Sequence, residues 1–203
     1  MRKFHGDALT VKYALRDLGA ALPRVLQHTP GRRVCVQAGG NLGVYVEALA
    51  AIFDTVYTFE PDRNMFCRLM QNTCDSSNVV AMQAALGDRP RLVGTSRSRR
   101  DTKRLPVHDG LTHVSGPGTV PTLSLDDLCL ENVDLVWLDV EGHEYYALLG
   151  MINTLKVCRP TVVVEVNEQC MLEGLRPDDV RTLLRMEGMS HAFTIGSDEV
   201  FTW

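Results

Sequence analysis

Three glycines and a distant glutamate form the first group of residues whose types and spacing can do chemistry. Gly39, Gly40 and Gly43 follow a short apolar run, and Glu60 ends a second apolar run 21 residues after Gly39. In βαβ units the glycines of such a turn let the backbone approach a ligand at a helix N-terminus, and an acid about 20 residues further on hydrogen-bonds a ribose diol. The spacing therefore predicts a half-site for an adenosine cofactor.

Neighbouring residues extend this predicted cofactor site. Asn41 can either cap the following helix or hydrogen-bond the cofactor, and Pro61 directly follows Glu60. Ala85 and Leu86 end a later strand, where their backbone amides would line the adenine. A purely structural alternative remains for Glu60, because the helix dipole also favours an acid at a helix N-terminus.

A second group of polar residues crowds the end of the apolar run VDLVWLDV. We assign catalysis to Asp139, Glu141 and His143 of this group. Carboxylates here can attract a cation or remove a hydroxyl proton, and imidazole is the better base at neutral pH. The alternative for His143 is a solvated side chain at the start of a helix.

Glu165 lies within the apolar run TVVVEV and must therefore be paired or face a cleft, since an unpaired buried carboxylate is costly. Together with Asn167 and the acids of the second group it would form an oxygen cluster able to hold Mg²⁺. The milder alternative is a hydrogen-bonded pair that shapes a substrate pocket. No spacing demands a metal, and we predict no metal ligand.

The elements that position these residues alternate between apolar strand patterns and helical patterns. Such alternation predicts an α/β fold, a single doubly wound and mostly parallel seven-stranded sheet that binds ligands at the carboxyl ends of its strands. The tail reads as a C-terminal antiparallel hairpin, because residues 191–195 and 199–203 straddle Gly196-Ser197-Asp198. The 203 residues suit one domain, with residues 1–30 as an N-terminal helical cap.

Residues 89–121 are rich in Arg, Ser, Gly and Pro, and we predict that they form a basic loop on the substrate side. Seven basic and two acidic residues lie in positions 88–104, a local charge of +5 in a chain of net charge −4. The loop favours a small-molecule acceptor that is anionic or phosphorylated, although a solvated loop is the alternative. Nucleic acid is less favoured, because no aromatic residue interrupts the basic run to stack on bases.

The chain carries no pattern of a secreted or membrane protein. Its N-terminal segment lacks the apolar core of a signal peptide, and no apolar run is long enough to span a bilayer. Six cysteines without a CxxC pair indicate reduced core residues. We expect a cytoplasmic protein with no membrane association, and the sequence leaves the oligomeric state open.

Five motifs in order, VQAGGNLG, FEPD, PTLSLDDL, VDLVWLDVEGHE and RPTVVVEVN, resemble those of the FkbM-type methyltransferases, a branch of the class I S-adenosylmethionine-dependent enzymes. The resemblance covers about residues 33–167. It implies a Rossmann-like fold, S-adenosyl-L-methionine as cofactor, and methyl transfer to a hydroxyl of a sugar, nucleotide-linked or other small metabolite. Asp139 would then also orient the cofactor.

Gln37 is where the chain departs from the family, which usually has Asp at this position. Its amide would offer the cofactor's ammonium an acceptor without a full charge. Two other functions stay open. One is a noncatalytic module that binds S-adenosylmethionine or a partner; the other is a nicotinamide-dependent oxidoreductase, disfavoured by Ala38 at the first glycine position of GxGxxG and by the terminal hairpin.

Overall fold

The described residues form a main sheet of seven strands. A computed structural model describes residues 4–97, 112–166 and 174–203. In chain order the strands of this sheet are β1 Val34–Ala38, β2 Thr55–Phe59, β3 Val79–Met82, β7 Val133–Leu138, β8 Thr161–Glu165, β9 Ser190–Ile195 and β10 Asp198–Thr202. Their spatial order is β3-β2-β1-β7-β8-β10-β9. The five strands β3, β2, β1, β7 and β8 pair with their neighbours in parallel. Strand β10 is antiparallel to both of its neighbours, β8 and β9.

Helices cover both faces of the sheet. Among the described residues they are α1 Ala8–His28, α2 Val44–Ala50, α3 Arg63–Asn72, α4 Glu144–Leu149, α5 Ile152–Cys158 and α6 Pro177–Met186. Buried side chains of α1, α2 and α3 pack with Cys35 and Trp137 on one face, and those of α4, α5 and α6 pack with Val36 and Val136 on the other. The strand residues alternate between the two cores, as the period of two in a strand requires. The predicted doubly wound sheet with a terminal antiparallel hairpin is confirmed.

The order of the strands creates one switch point. The chain builds β1, β2 and β3 outward in one direction and then returns to place β7 on the other side of β1. In open α/β sheets, ligands bind in the crevice outside the carboxyl ends of the two strands at such a point. The ends of β1 and β7 are therefore where a site is expected.

A smaller three-stranded sheet lies outside the main one and corrects the sequence prediction. It contains β4 Ala85–Leu86, β5 Arg91–Arg97 and β6 Thr112–Leu123, in the order β4-β6-β5. The predicted loop 89–121 thus forms strands in its described parts. The prediction was wrong because glycines and prolines that usually mark loops lie here in a β-bulge. Val93 pairs with Val120 and Gly94 with Ser115, so residues 116–119 of β6 have no partner residues on β5.

Other boundaries also differ from the predicted ones. The strand predicted to end at Ala85 and Leu86 is divided between the two sheets: Ala84 donates its N–H back to the carbonyl of Met82 (3.0 Å), and Ala85–Leu86 pairs in the smaller sheet. Helix α1 continues through Pro23 and packs Val25, which is fully buried, against the sheet. Of the five described cysteines only Cys35 is buried, so the expectation of core cysteines is mostly wrong. None of the helices formed by the described residues combines the length and apolar character needed to span a bilayer.

Candidate active site

A cleft opens at the switch point, where β1 and β7 end side by side. We call it the switch-point cleft; it encloses about 580 Å³, including the part open to solvent. The predicted cofactor residues that line it are Gly39, Asn41, Glu60, Pro61, Ala85, Leu86 and Asp139. All three predicted catalytic residues, Asp139, Glu141 and His143, also line it. The fold thus brings together two groups that the sequence separates by about 80 positions.

Gly39 holds the two strand ends in contact. Its φ is +87°, and a Cβ at this position would lie 1.7 Å from the carbonyl oxygen of Asp139. The backbone N–H of Asp139 donates to the carbonyl of Ala38 (3.0 Å), which continues the pairing of β1 with β7. Only glycine allows this approach, and the approach places the Asp139 carboxylate beside the turn.

Asn41 presents an amide to the cleft rather than capping a helix. It has a positive φ of 46°, and the residue that precedes α2 is Gly43, which makes no side-chain cap. The capping alternative for Asn41 is therefore wrong. Among the described residues, the buried Oδ1 of Asn41 has no hydrogen-bond donor, so it can accept a hydrogen bond from a ligand in the cleft.

Glu60 is fixed by two backbone hydrogen bonds. It is 5% exposed; Oε2 accepts from the N–H of Asn41 and Oε1 from the N–H of Asp62, both at 2.8 Å. Each carboxylate oxygen has two lone pairs, so these two bonds do not by themselves exclude hydrogen bonds to a ligand. The structural role of Glu60 is therefore compatible with the predicted ligand role, and it would orient the carboxylate for a ligand.

Three residues predicted to bind the cofactor lie behind the wall of the cleft. The Gln37 side chain is buried: its Oε1 accepts from the Thr58 hydroxyl (2.7 Å) and its Nε2 donates to the Gly39 carbonyl (3.0 Å). A Cβ on Gly40 would lie 2.3 Å from Leu69 Cδ1 of α3, and Gly43 packs near the same leucine with a φ of +79° that residues with side chains rarely adopt. The structure gives all three a role in holding the turn, because their space and hydrogen bonds are taken by protein neighbours.

The carboxylates of the cleft are close enough to repel one another. Asp139, Glu141 and Glu165 each offer an oxygen, and these oxygens lie within 4.8 Å of one another. Loss of solvation within the protein disfavours the charged form of Asp139 and raises its pKa well above the ordinary value. Repulsion from the carboxylates of Glu165 and Glu141 raises this pKa further. A cation would relieve this repulsion, although the sequence predicted no metal ligand here. Asn167, predicted beside Glu165, lies outside the described residues.

A tight turn after β7 presents His143 to the cleft. Glu141 and Gly142 both have positive φ, 52° and 99°. The buried Glu144 closes this turn, because its Oε1 accepts from the N–H groups of Val140 and Gly142, both at 3.2 Å. Burial raises the pKa of Glu144 to about 7. A non-glycine residue held at positive φ costs free energy, and such residues concentrate at functional sites.

A second cavity adjoins the switch-point cleft. We call it the ribbon cavity, since β5 and β6 form one of its walls; it encloses about 670 Å³, counted in the same way. Val114 and His143 line both cavities. Arg91 and Tyr146 line the ribbon cavity but not the switch-point cleft. The ring of His143 stacks on that of Tyr146, with ring centroids 5.1 Å apart. Tyr146 and Val114 were not among the predicted site residues, because the periodicity of a sequence does not show which later helix or strand lies beside a cleft.

The predicted basic loop is only partly visible. Arg99, Arg100, Lys103 and Arg104 lie outside the described residues, as does the side chain of Arg97. Arg89 is 72% exposed and lines neither cavity, whereas Arg91 lines the ribbon cavity. The described part of the loop therefore supplies one cation to the neighbourhood of His143.

Comparison with known proteins gives a consistent result. Residues 37–190 match the family model of the methyltransferase FkbM domain. The hexuronic acid methyltransferase AglP of Haloferax volcanii is 30% identical over 202 residues, covering 93% of this chain and 78% of AglP. The 2-O-methyltransferase NoeI of Sinorhizobium fredii is 29% identical over 140 residues, or 60% of this chain and 57% of NoeI.

Solved structures share the fold at low sequence identity. The methyltransferase FkbM of Methylobacillus flagellatus superposes with a TM-score of 0.53 at 15% identity, covering 98% of this chain and 56% of that one. The fibrillarin of Aeropyrum pernix, solved with natively bound S-adenosyl-L-methionine, gives a TM-score of 0.54 at 14% identity over 93% of this chain and 74% of its own. These likenesses support the Rossmann-like architecture.

Proposed function

The chain belongs to the FkbM methyltransferase family and is an S-adenosylmethionine-dependent methyltransferase, and we propose that its acceptor is a hydroxyl oxygen of a sugar or sugar-linked metabolite. Two relatives support this acceptor: one is named for a hexuronic acid, which supports the sugar, and the other for 2-O-methylation, which supports the oxygen. The strongest structural support is that Glu60 and Asp139 line one cleft beside His143. The cleft thus combines an acid suited to bind an adenosine donor, Glu60, with a histidine suited to proton transfer, His143.

The donor is held by the first group of residues. Glu60 accepts hydrogen bonds from the two ribose hydroxyls, and Asn41 Oδ1 accepts one from the amino-acid portion of the donor. Gly39 leaves room at the turn for that portion, while Pro61, Ala85 and Leu86 border the adenine. These assignments fit the site because both residues line the cleft and the buried Oδ1 of Asn41 has no hydrogen-bond donor among the described residues.

The bound donor supplies a methyl group on a positively charged sulfur, which is already electrophilic. The protein must therefore align the acceptor oxygen and take one proton from it. His143 takes the proton, since it borders both the donor cleft and the cavity beside it. Asp139, with Glu141 next to it, orients the acceptor hydroxyl and stabilises the donor's positive charge.

The test of this function is methyl transfer from labelled S-adenosylmethionine to a panel of pyranosides, with wild type and His143→Ala. Loss of a general base lowers rates by about 10²–10⁴-fold, and we expect kcat to fall by that amount. The affinity for S-adenosylhomocysteine, measured by calorimetry, should stay within about two-fold.

His191→Ala is the matched control, because His191 is exposed on β9 and lines neither cavity. It should leave kcat unchanged. A His143→Ala enzyme with nearly wild-type kcat would remove His143 from proton transfer. Absence of transfer to every sugar in the panel, with the donor still bound, would contradict the proposed acceptor class.

A further inference from the structure

We propose that the ribbon cavity binds the acceptor and that Arg91 selects a sugar bearing a carboxylate, such as a uronic acid. This inference rests on the proposed function and specifies its acceptor. It assigns the carboxylate of the sugar to Arg91 and the reacting ring hydroxyl to His143, two residues that line the same cavity.

The ribbon cavity has the position that an acceptor site requires. It is separate from the switch-point cleft but meets it at Val114 and His143. An acceptor in the ribbon cavity would therefore lie next to His143, the residue proposed to take its proton.

Arg91 provides the charge that an anionic acceptor needs. Its side chain is one-third exposed, and its Nη2 lies 3.1 Å from Asp88 Oδ1. The Nε of Arg91 is buried, and among the described residues it has no hydrogen-bond acceptor. A guanidinium binds a carboxylate best through two parallel N–H donors, so an incoming carboxylate would satisfy this Nε. The guanidinium is held over the ring of Tyr146, 5.6 Å from its centroid, which fixes its orientation.

The charge balance favours a carboxylate over a phosphate. Asp88 already offsets the single positive charge of Arg91, and the carboxylates of Asp139 and Glu141 line the adjoining cleft. A dianionic phosphate would meet this repulsion with twice the charge of a carboxylate. Among the described residues that line the cavity, Arg91 is the only Lys or Arg. A single arginine that binds through two N–H groups matches a ligand group with one negative charge.

Tyr146 links the two polar groups of the ribbon cavity. Its ring contacts the guanidinium of Arg91 and stacks on the ring of His143. These contacts fix the positions of Arg91 and His143 relative to each other. This arrangement sets the carboxylate at one end of the sugar and the reacting hydroxyl at the other.

The test compares two acceptors that differ only at C6: a methyl glucuronoside and the corresponding methyl glucoside. The variants are Arg91→Ala, Arg91→Lys and the matched control Arg89→Ala, whose arginine also lies near Asp88 but lines neither cavity. We expect Arg91→Ala to lower kcat/KM for the glucuronoside by about 10–100-fold, mainly through KM, and to change that for the glucoside by less than about two-fold. Arg91→Lys should recover only part of the loss, because lysine lacks the planar fork.

Calorimetry with the same sugars on the S-adenosylhomocysteine complex separates this inference from the proposed function. Glucuronoside binding that Arg91→Ala abolishes supports the inference even if neither sugar is methylated, an outcome that would contradict only the proposed reaction. Equal losses for both sugars, a loss in Arg89→Ala as large as in Arg91→Ala, or no glucuronoside binding would overturn it. So would an alkali-labile methyl ester as product, because the carboxylate would then lie at the donor and not at Arg91.

Discussion

At the scale of single residues, Glu60 has a structural role that would also orient it for the ligand we propose. Its two oxygens accept the N–H groups of Asn41 and Asp62, which join the turn after β1 to the start of α3. These bonds restrict the carboxylate to one orientation before a ligand arrives. A preoriented acceptor loses less conformational entropy on binding than a free side chain.

Glu60→Gln tests this double role. The amide cannot accept as the carboxylate does, and hydrogen bonds to charged groups contribute about 1.5–3 kcal/mol, so S-adenosylhomocysteine should bind about 10–100-fold more weakly. Asp62→Ala is the control: Asp62 also accepts two backbone N–H bonds, from Asn64 and Met65, but it does not line the cleft. It should cost about 1 kcal/mol of stability and leave affinity unchanged. Equal affinity losses in both variants would mean that Glu60 acts only through the turn.

Sequence spacing located the residues of the cleft better than it located their roles. Gly39 and Glu60 could be predicted because a turn and a distant acid at a fixed interval follow from the βαβ geometry itself. Gly40, Gly43 and Gln37 share that turn, yet what they contact depends on Leu69 and Thr58, which belong to other elements. Packing across elements of this kind has no signature within the turn.

At the scale of elements, the terminal hairpin adds a titratable carboxylate to the edge of the site. Asp198 begins β10 opposite Glu165 of β8. Burial raises the pKa of Asp198 to about 7, and repulsion from Glu165 and Asp17 contributes. The hairpin thus brings a partly buried acid close to the acidic cluster of the cleft.

Asp198→Asn should stabilise the protein at alkaline pH. The folded state binds the Asp198 proton more tightly than the unfolded state, whose Asp pKa is about 4, so this residue makes the free energy of unfolding fall as pH rises from about 4 to about 7. At pH 8 the variant should be more stable by up to about 4 kcal/mol, and near pH 4 the two proteins should be similar. Urea unfolding at several pH values measures this, with Asp54→Asn as an exposed control. A difference that does not grow with pH would contradict the assignment.

Strands of the main sheet could be predicted because buried parallel strands are nearly continuous apolar runs, as in VDLVWL of β7. The smaller sheet could not. Its strand β6 contains Gly116, Pro117 and Gly118, residues that ordinarily mark turns, and here they occupy a bulge where Gly94 and Gly118 approach too closely for side chains. Only the partner strand explains why these residues lie within a strand.

At the scale of the whole molecule, charge is distributed unevenly. Residues 88–104 carry +5, and the rest of the chain carries −9. Within the acidic remainder, Asp139, Glu141 and Glu165 meet at the switch-point cleft. Such a cleft attracts cations, and the methyl donor is a cation whereas its product, S-adenosylhomocysteine, has lost that charge.

The protein should therefore prefer the donor to its product, and the preference should weaken with salt. Asp139→Asn should reduce the ratio of the two affinities by about five-fold, which corresponds to about 1 kcal/mol for one carboxylate near one positive charge in partly screened surroundings. Calorimetry of both compounds at 50 mM and 500 mM NaCl measures this. A ratio insensitive to both salt and Asp139 would exclude electrostatic selection.

The insertion of β4–β6 between β3 and β7 has a consequence for how this enzyme can diversify. The main sheet carries the turn of Gly39 and the acid of Glu60, while the inserted ribbon carries Arg91 and Val114. The arginine assigned to the acceptor is thus encoded apart from the turn and the acid assigned to the donor, although Ala85 and Leu86 of β4 border the donor and Tyr146 of α4 borders the acceptor. Exchange of β5 and β6 with those of a related methyltransferase, by recombination or by design, would change the residues that contact the sugar and would leave Gly39 and Glu60 in place.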